Sequence, residues 1–272
     1  MKKWRLITTP AYSGAFNMAL DEACLYFASH KQVPPTLRLY SWDPPSLSLG
    51  YAQKVTDVNI TQLKSLGWQL VRRPTGGRAI LHTDELTYSV SAPVDDPIVS
   101  GTLLESYQRI SLALLTALKL LGLSDVANKQ YPNQPDSAKT NPVCFEVPSN
   151  YEITASGKKL IGSAQARKSG GVLQHGSLPL CGDLTRITHA LQYPSEEARQ
   201  SASQKLLDHA TSFENVAGRI IEWEQAAQAF IKAFSTTLDI EFYHSDPTTE
   251  ELTMTEELVE SKYGSDEWNF RN

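Results

Sequence analysis

Three stretches of this chain carry side chains that could meet an anion or a carbonyl, or act as a nucleophile. The first is RRPTGGRAILH at positions 72–82, where Gly76 and Gly77 stand among Arg72, Arg73 and Arg78, and His82 closes the run. Glycines beside guanidinium groups let a backbone come close to something anionic or flat. The spacing is neither the GxxxxGK[ST] of a phosphate-binding loop nor the GxGxxG that opens a dinucleotide-binding helix. A simple hairpin turn would also use two glycines, but three arginines exceed what a hairpin tip needs. His82 has no neighbours at metal-ligand spacing, so it is either a hydrogen-bonded structural residue or a proton carrier.

The second stretch is GKKLIGSAQARKSGGVLQHGSL at 157–178. In a regular strand Lys158 and Lys159 point to opposite faces. They are either two solvated lysines at a strand end, or one of them faces inward, which is expensive unless it meets an anion or a carbonyl. Gly162, Ser163 and Ala164 are small for mid-strand positions, as when a ligand or an apolar chain must lie close to the sheet. The third stretch is NPVCFEVPS, with Cys144 between Pro142 and Pro148. A free cysteine is usually a buried, inert hydrophobe, a description that suits Cys24 on the apolar face of the first helix. Cys144 lies in a long polar segment, and a nucleophilic thiol there needs a nearby cation to lower its pKa. Arg73, Arg78, His82 and Lys159 supply such cations if the fold gathers them.

The elements that must do the gathering follow from periodicity. Ser13 caps a helix running to about His30, with Phe16, Ala19, Leu20, Ala23 and Phe27 at helical spacing. Short strands are expected at 37–40, 47–51 and 69–72. In LTYSVSA, Leu86, Tyr88, Val90 and Ala92 alternate with Thr87, Ser89 and Ser91, the mark of a half-buried strand. Tyr107, Ile110, Leu114, Ala117 and Leu121 define a second helix that stops at Gly122. Residues 124–150 carry four prolines and read as one long loop. Strands resume at 151–154, 159–165 and 171–180; helices follow Cys181, with Trp223, Ala226, Ala227, Phe230 and Phe234 on one face, and an acidic helix over 248–263. The expected fold class is α+β: a mixed, largely antiparallel sheet with flanking helices.

Composition narrows the function. The chain has 272 residues, 41% of them hydrophobic, and a net charge of -5. That is enough for a sizeable core, and the charge does not favour nucleic acid. Three cysteines without CxxC spacing make neither a disulfide framework nor a zinc site, so a reducing, cytoplasmic setting is expected. The first residues lack a signal-peptide pattern, and no stretch reaches the roughly 18 apolar residues of a membrane span.

Taken together, RRPTGGRAILH, ELTYSV, CFEVPSNYEI, the 157–178 stretch and the closing KYGSDEWNF resemble the biotin/lipoate protein ligase family, within it the octanoyltransferase branch of Gram-positive type. The similarity runs from WRLITT and AFNMALDEA to the last residues. It implies a single catalytic domain over 1–272, akin to class II tRNA-synthetase cores, without a further C-terminal domain. It implies a tunnel for a medium-length acyl chain between a Gly-rich hairpin and the GKKLIGSAQ strand. The family's ATP-using ligases carry a third glycine where this chain has Arg78. The resemblance assigns Cys144 as acyl-carrying nucleophile, Lys159 to the acyl carbonyl, and substrate contacts to Arg73, Gly76, Gly77, Arg78, His82, Gly162, Ser163, Ala164 and His175. Thr83 follows His82 where the family often has Asp; Asp84 is one step on.

The implied reaction moves octanoyl from octanoyl-acyl carrier protein, through a Cys144 thioester, to a lysine of a lipoyl carrier domain, either glycine-cleavage H protein or a dehydrogenase E2 subunit. No cofactor or metal is expected, and the arginines would meet the donor's phosphopantetheine or an acidic carrier surface. The alternatives are an ATP-dependent lipoate–protein ligase, an amidotransferase between lipoyl domains, and a carrier-binding module without catalysis, against which Cys144 and Lys159 argue.

Overall fold

The computed structural model describes residues 1–130 and 151–271, so Cys144 lies outside the described residues. An eight-stranded sheet forms the body. Its spatial order is β11 (Ile240–His244), β1 (Lys2–Thr8), β2 (Thr36–Tyr40), β6 (Glu85–Pro93), β10 (Gly171–Pro179), β9 (Lys158–Lys168), β8 (Tyr151–Ala155), β7 (Val126–Gln130). The β11–β1 and β1–β2 pairs are parallel and the others antiparallel. A second sheet of three strands runs β4 (Gln69–Arg72), β3 (Ser46–Leu49), β5 (Ile80–His82), with β3 parallel to β4 and antiparallel to β5. The α+β expectation therefore describes the molecule.

Helices cover both faces of the large sheet. The first, α1 (Gly14–Ser29), starts where the Ser13 hydroxyl accepts from the Phe16 amide. A short helix α2 (Ile60–Ser65) packs with Leu47 and Leu49 of the small sheet. The next, α3 (Leu103–Leu120), opens with a Thr102/Glu105 capping box and ends before Gly122, whose φ of +94° favours glycine. Then come α4 (Glu196–His209), α5 (Phe213–Ala217) and α6 (Trp223–Leu238). Ile110, Leu114 and Ala117 of α3 and Phe230 and Phe234 of α6 pack on Leu86, Tyr88 and Val90 of β6. The tail is α7 (Thr249–Leu258), a wider π turn over Val259–Tyr263, and α8 (Asp266–Asn269). Among the described residues no helix is long and apolar enough to cross a membrane.

Three expectations change, and two strands appear where none was expected. Strand β6 is buried on both faces rather than one: Thr87, Ser89 and Ser91 are all enclosed, and Thr87 and Ser89 bind polar partners there. The expected loop at 124–150 opens with strand β7, paired to β8. Strands β1 and β11 give little alternation; Trp4, Arg5, Leu6 and Ile7 are consecutive and all buried. The Gly-rich segment is not a hairpin, because its flanking strands β4 and β5 are separated by β3. It crosses over the end of β3 instead.

Arg5 shows how the tail is attached. Its guanidinium makes a two-pronged pair with Glu251 of α7 at 2.7 and 2.5 Å, and its Nε donates to Thr36 Oγ1 at 3.1 Å. Both charged side chains are almost fully enclosed, so neither is well solvated if the other is removed. Glu251→Ala should lower the unfolding free energy by about 3–5 kcal/mol, the usual cost of breaking a buried pair. Equilibrium denaturation in urea measures it, and a loss under about 1 kcal/mol would show that Arg5 re-solvates.

Candidate active site

A narrow cavity of about 60 Å³ lies between the two sheets. One buried water needs about 10–15 Å³, so the space accommodates only a thin chain of a few methylene-sized groups. Its walls come from α1 (Met18), β2 and the following turn (Tyr40, Trp42), the small sheet (Ser48, Arg73, Gly77, Ile80, His82) and the large sheet (Thr87, Gly162, Ser163, Ala164, His175, Gly176, Ser177). The cavity lies between Gly77 of the Gly-rich segment and Gly162, Ser163 and Ala164 of β9. Of the residues expected to contact substrate, Arg73, Gly77, His82, Gly162, Ser163, Ala164 and His175 line it; Gly76, Arg78 and Lys159 are not among its lining residues.

Glycine lets the walls come together. A Cβ on Gly50 would sit 1.9 Å from the Gly77 carbonyl oxygen, and Gly77 itself has φ +100°. The crossover peptide thus rests directly on the end of β3. On the opposite wall, a Cβ on Gly176 would come within 2.5 Å of the Gly162 carbonyl oxygen and the Ser163 hydroxyl. The Ser163 hydroxyl bonds Tyr88 at 2.8 Å, and the Tyr107 hydroxyl donates to the Ser163 carbonyl.

The arginines do not form an exposed patch for a carrier, contrary to the sequence expectation. Arg73 turns inward and donates to the carbonyls of Ser48, Gly76 and Arg78 and to the Ser48 hydroxyl at 2.7–3.3 Å. It wraps the Gly-rich turn onto β3. Arg72 is also enclosed. The side chain of Arg78 is half-buried. The acidic residue after His82, Asp84, pairs with Arg186, so Thr83 in its family position leaves no charge unpaired there.

Each cavity histidine is held at both ring nitrogens. His82 Nδ1 faces Glu85 Oε1 at 2.6 Å and Nε2 faces the Ser48 hydroxyl at 2.8 Å, while the ring stacks on Trp42 at 3.9 Å with a 9° tilt. The same Glu85 oxygen accepts from Thr87 and Ser177, and Trp42 Nε1 donates to Thr87. His175 lies between Asp21, 3.3 Å from Nδ1, and the Thr75 hydroxyl, 2.7 Å from Nε2. Burial lowers the His175 pKa despite Asp21 beside it. The neutral ring therefore donates from Nδ1 to the carboxylate and accepts from Thr75 at Nε2. For Asp21, burial works to raise the pKa, but the His175 hydrogen bond, the Arg38 charge and the Ser89 hydroxyl outweigh it and hold the carboxyl below its ordinary value.

Lys159 points inward and Lys158 outward, as the alternation requires. The Lys159 ammonium lies 2.8 Å from Glu152 on β8, both side chains almost wholly buried, and Lys158 donates to the Leu207 carbonyl. The inward lysine thus has an anion within the protein. Cys24 is buried and its thiol is pushed far up by desolvation, in keeping with an inert residue. Burial also raises Cys181.

Sequence reasoning passed over Asp21, Glu85, Glu152, Ser48 and Trp42. A signal existed for the first: Asn17 and Asp21 stand one turn apart among buried apolar residues of α1, where a charge demands partners. Glu152 and Glu85 gave none, because an acid in a strand is ordinary until its burial is known.

Residues 13–235 match the model of the lipoyl protein ligase A/B catalytic domain. The chain is 42% identical to an octanoyltransferase LipM of Brevibacillus brevis over the whole of both chains, and 38% identical to that of Bacillus subtilis over 98% of each. Among solved structures, a lipoate-protein ligase A bound with ATP superposes with a TM-score of 0.80 at 26% identity over 99% of both chains. A bi-partite lipoate protein ligase from Thermoplasma acidophilum shares the fold, with a TM-score of 0.82 at 24% identity over 99% of this chain and 97% of its own. A match over most of its length, joined to full-length identities near 40%, establishes that the chain belongs to the lipoyl protein ligase A/B catalytic domain family.

Proposed function

We propose a two-step route for the octanoyl transfer that this protein performs as a member of the octanoyltransferases it matches over its full length. The donor is octanoyl-acyl carrier protein, and the acceptor is a lysine of a lipoyl carrier domain, on glycine-cleavage H protein or a dehydrogenase E2 subunit. The observation that carries the reading is the narrow cavity between Gly77 and the small residues Gly162, Ser163 and Ala164, together with those identities. Its small volume and its lining by Met18, Tyr40 and Trp42 suit an alkyl group, and burying one gains about 0.8 kcal/mol per methylene.

The Cys144 thiolate attacks the donor carbonyl carbon. The carbon–sulfur bond to the phosphopantetheine arm breaks, and the carrier leaves as its thiol. The acceptor amine, once deprotonated, then attacks the Cys144 thioester; that carbon–sulfur bond breaks, an amide forms and the thiol is regenerated. The first exchange is nearly isoenergetic and the second is downhill, so neither step needs ATP, a cofactor or a metal. The Lys159 ammonium, oriented by Glu152 at 2.8 Å, stabilises the oxyanion of each tetrahedral intermediate. Arg73, Gly76, Gly77, Arg78, His82 and His175 form and support the acyl-binding walls. One catalytic domain working in the cytoplasm suffices for this chemistry.

Intact mass after incubation with octanoyl-acyl carrier protein should show one added octanoyl group without nucleotide. Cys144→Ala should show none, and Cys24→Ala and Cys181→Ala should match wild type. Efficient modification of a lipoyl domain by free octanoate and ATP, with none from the thioester, would make the protein a ligase instead.

For Lys159→Ala we expect kcat/KM to fall about 10²–10³-fold, the scale of one lost oxyanion donor. From sequence alone the variant should keep its stability; the structure revises that, because Glu152 loses the ammonium paired with it. The single variant should lose about 3–5 kcal/mol, and Lys159→Met/Glu152→Gln should regain much of it while staying inactive. An active double variant would remove Lys159 from the chemistry. Lys158→Ala should change activity only a few-fold, mostly at low salt.

A further inference from the structure

We propose that residues 268–271 form a clasp that positions the acyl-binding segment, with Arg72 as the positioning residue through which it acts. The proposal rests on the octanoyl-binding reading of the cavity. Arg72 lies in the Gly-rich motif but does not line the cavity. Its guanidinium is fully enclosed, and among the described residues its side-chain hydrogen bonds go to main-chain carbonyls. On one side these belong to Gly50 (3.0 Å), Tyr51 (3.3 Å) and Gln53, just past the end of β3. On the other they belong to Trp268 (3.1 Å), Asn269 (3.1 Å) and Arg271 (2.8 Å).

The Arg72 backbone is gripped as well. Its amide donates to Asn269 Oδ1 at 2.8 Å, and its carbonyl accepts from Trp268 Nε1 at 2.8 Å. Arg271 closes the arrangement: its guanidinium lies 4.1 Å from the Tyr51 ring centre and 4.0 Å from that of Trp268, and it donates to the Tyr51 carbonyl. Burial and the neighbouring Arg271 charge both disfavour the charged form of Arg72. A cation held this way costs stability that an apolar contact would not, and what it gains is direction. Five donors in a rigid fork fix several carbonyls at once.

The fixed carbonyls lead to the cavity. Gly50 is the surface on which the Gly77 peptide rests, and Gly77 is cavity wall. The next residue, Arg73, binds the Gly76 and Arg78 carbonyls and is wall itself. Residues 268–271 therefore hold the exits of β3 and β4 together, and the crossover of the Gly-rich segment is set between those two exits. Without the clasp the exits separate, the wall at Gly77 loosens, and the acyl chain is bound less tightly in ground state and transition state alike.

Two variants test this with octanoyl-acyl carrier protein as donor. Trp268→Phe removes one hydrogen bond to Arg72 and keeps an aromatic ring beneath Arg271; Trp268→Phe/Asn269→Ala removes two. We expect KM for the donor to rise about 3–10-fold in the first, the scale of one hydrogen bond, and further in the second, with kcat within about twofold of wild type. Leu114→Ala is the control, since it opens the core under α3 without touching the cavity wall or the tail, and its KM should stay at the wild-type value. Amide hydrogen exchange over residues 73–79 should quicken in both clasp variants and stay slow in Leu114→Ala. Wild-type KM and exchange in folded clasp variants, or an equal KM rise in Leu114→Ala, would overturn the clasp. A wild-type protein that transfers nothing from the thioester would instead refute the octanoyl reading, and the exchange rates would still decide whether residues 268–271 hold the Gly-rich segment.

Discussion

The carboxylate of Asp21 is the point on which the cavity depends. It is fully buried, and an unpaired charge there would be prohibitive. Four donors reach it: Arg38 and Tyr40 from β2, Ser89 from β6 and His175 from β10, at 2.7–3.3 Å. One side chain on α1 thereby fixes the helix against three strands. Two of those donors, Tyr40 and His175, are also walls of the cavity. The orientation of the cavity wall and the solvation of a buried charge are satisfied by the same bonds. Arg38 extends the network to Asn17 and Thr9 and stacks on Tyr40. Burial of this kind yields little net stability compared with an apolar core, but it admits few alternative arrangements.

Around that fixed point the cavity is made by omission. Gly50 lacks the Cβ that would push the Gly77 peptide off the end of β3, Gly176 the one that would clash with β9, and Gly77, Gly162 and Gly176 line the space without side chains, while Met18, Tyr40 and Trp42 supply apolar surface. Polar groups along the wall are already satisfied: His82 by Glu85 and Ser48, His175 by Asp21 and Thr75, Ser163 by Tyr88. An alkyl chain entering there displaces little that needs water, which favours it over a polar ligand of similar width. The Lys159–Glu152 pair joins β9 to β8, with Lys159 three residues before the cavity-lining Gly162 on the same strand.

Much of the fold was legible because helices announce themselves. Ser13, the apolar stripe to Phe27, and Tyr107 to Gly122 mark α1 and α3 closely. Strand β6 was legible in place but not in environment. Thr87, Ser89 and Ser91 look like a solvent face, and only the tertiary packing buries all three and gives Thr87 and Ser89 their hydrogen-bond partners. Strands β1 and β11 escaped because both their registers are set by partners far along the chain. Within the site, small residues at 162–164 and the glycines at 76 and 77 signalled close approach. That Arg72 and Arg73 serve the protein's own carbonyls could not be read from their charge. Hydrogen-bond direction depends on which strands are neighbours, and β3 between β4 and β5 is a tertiary fact.

The central claim is that the slot between Gly77 and residues 162–164 receives the acyl chain. A crystal structure of the protein with bound octanoate tests it most directly. The account predicts continuous density along that slot, with the alkyl chain running between Gly77 and Ala164 and passing Met18, Tyr40 and Trp42. Density instead in the open cleft bounded by Thr9, Cys181 and Trp223, with the slot closed or holding only water, would contradict it.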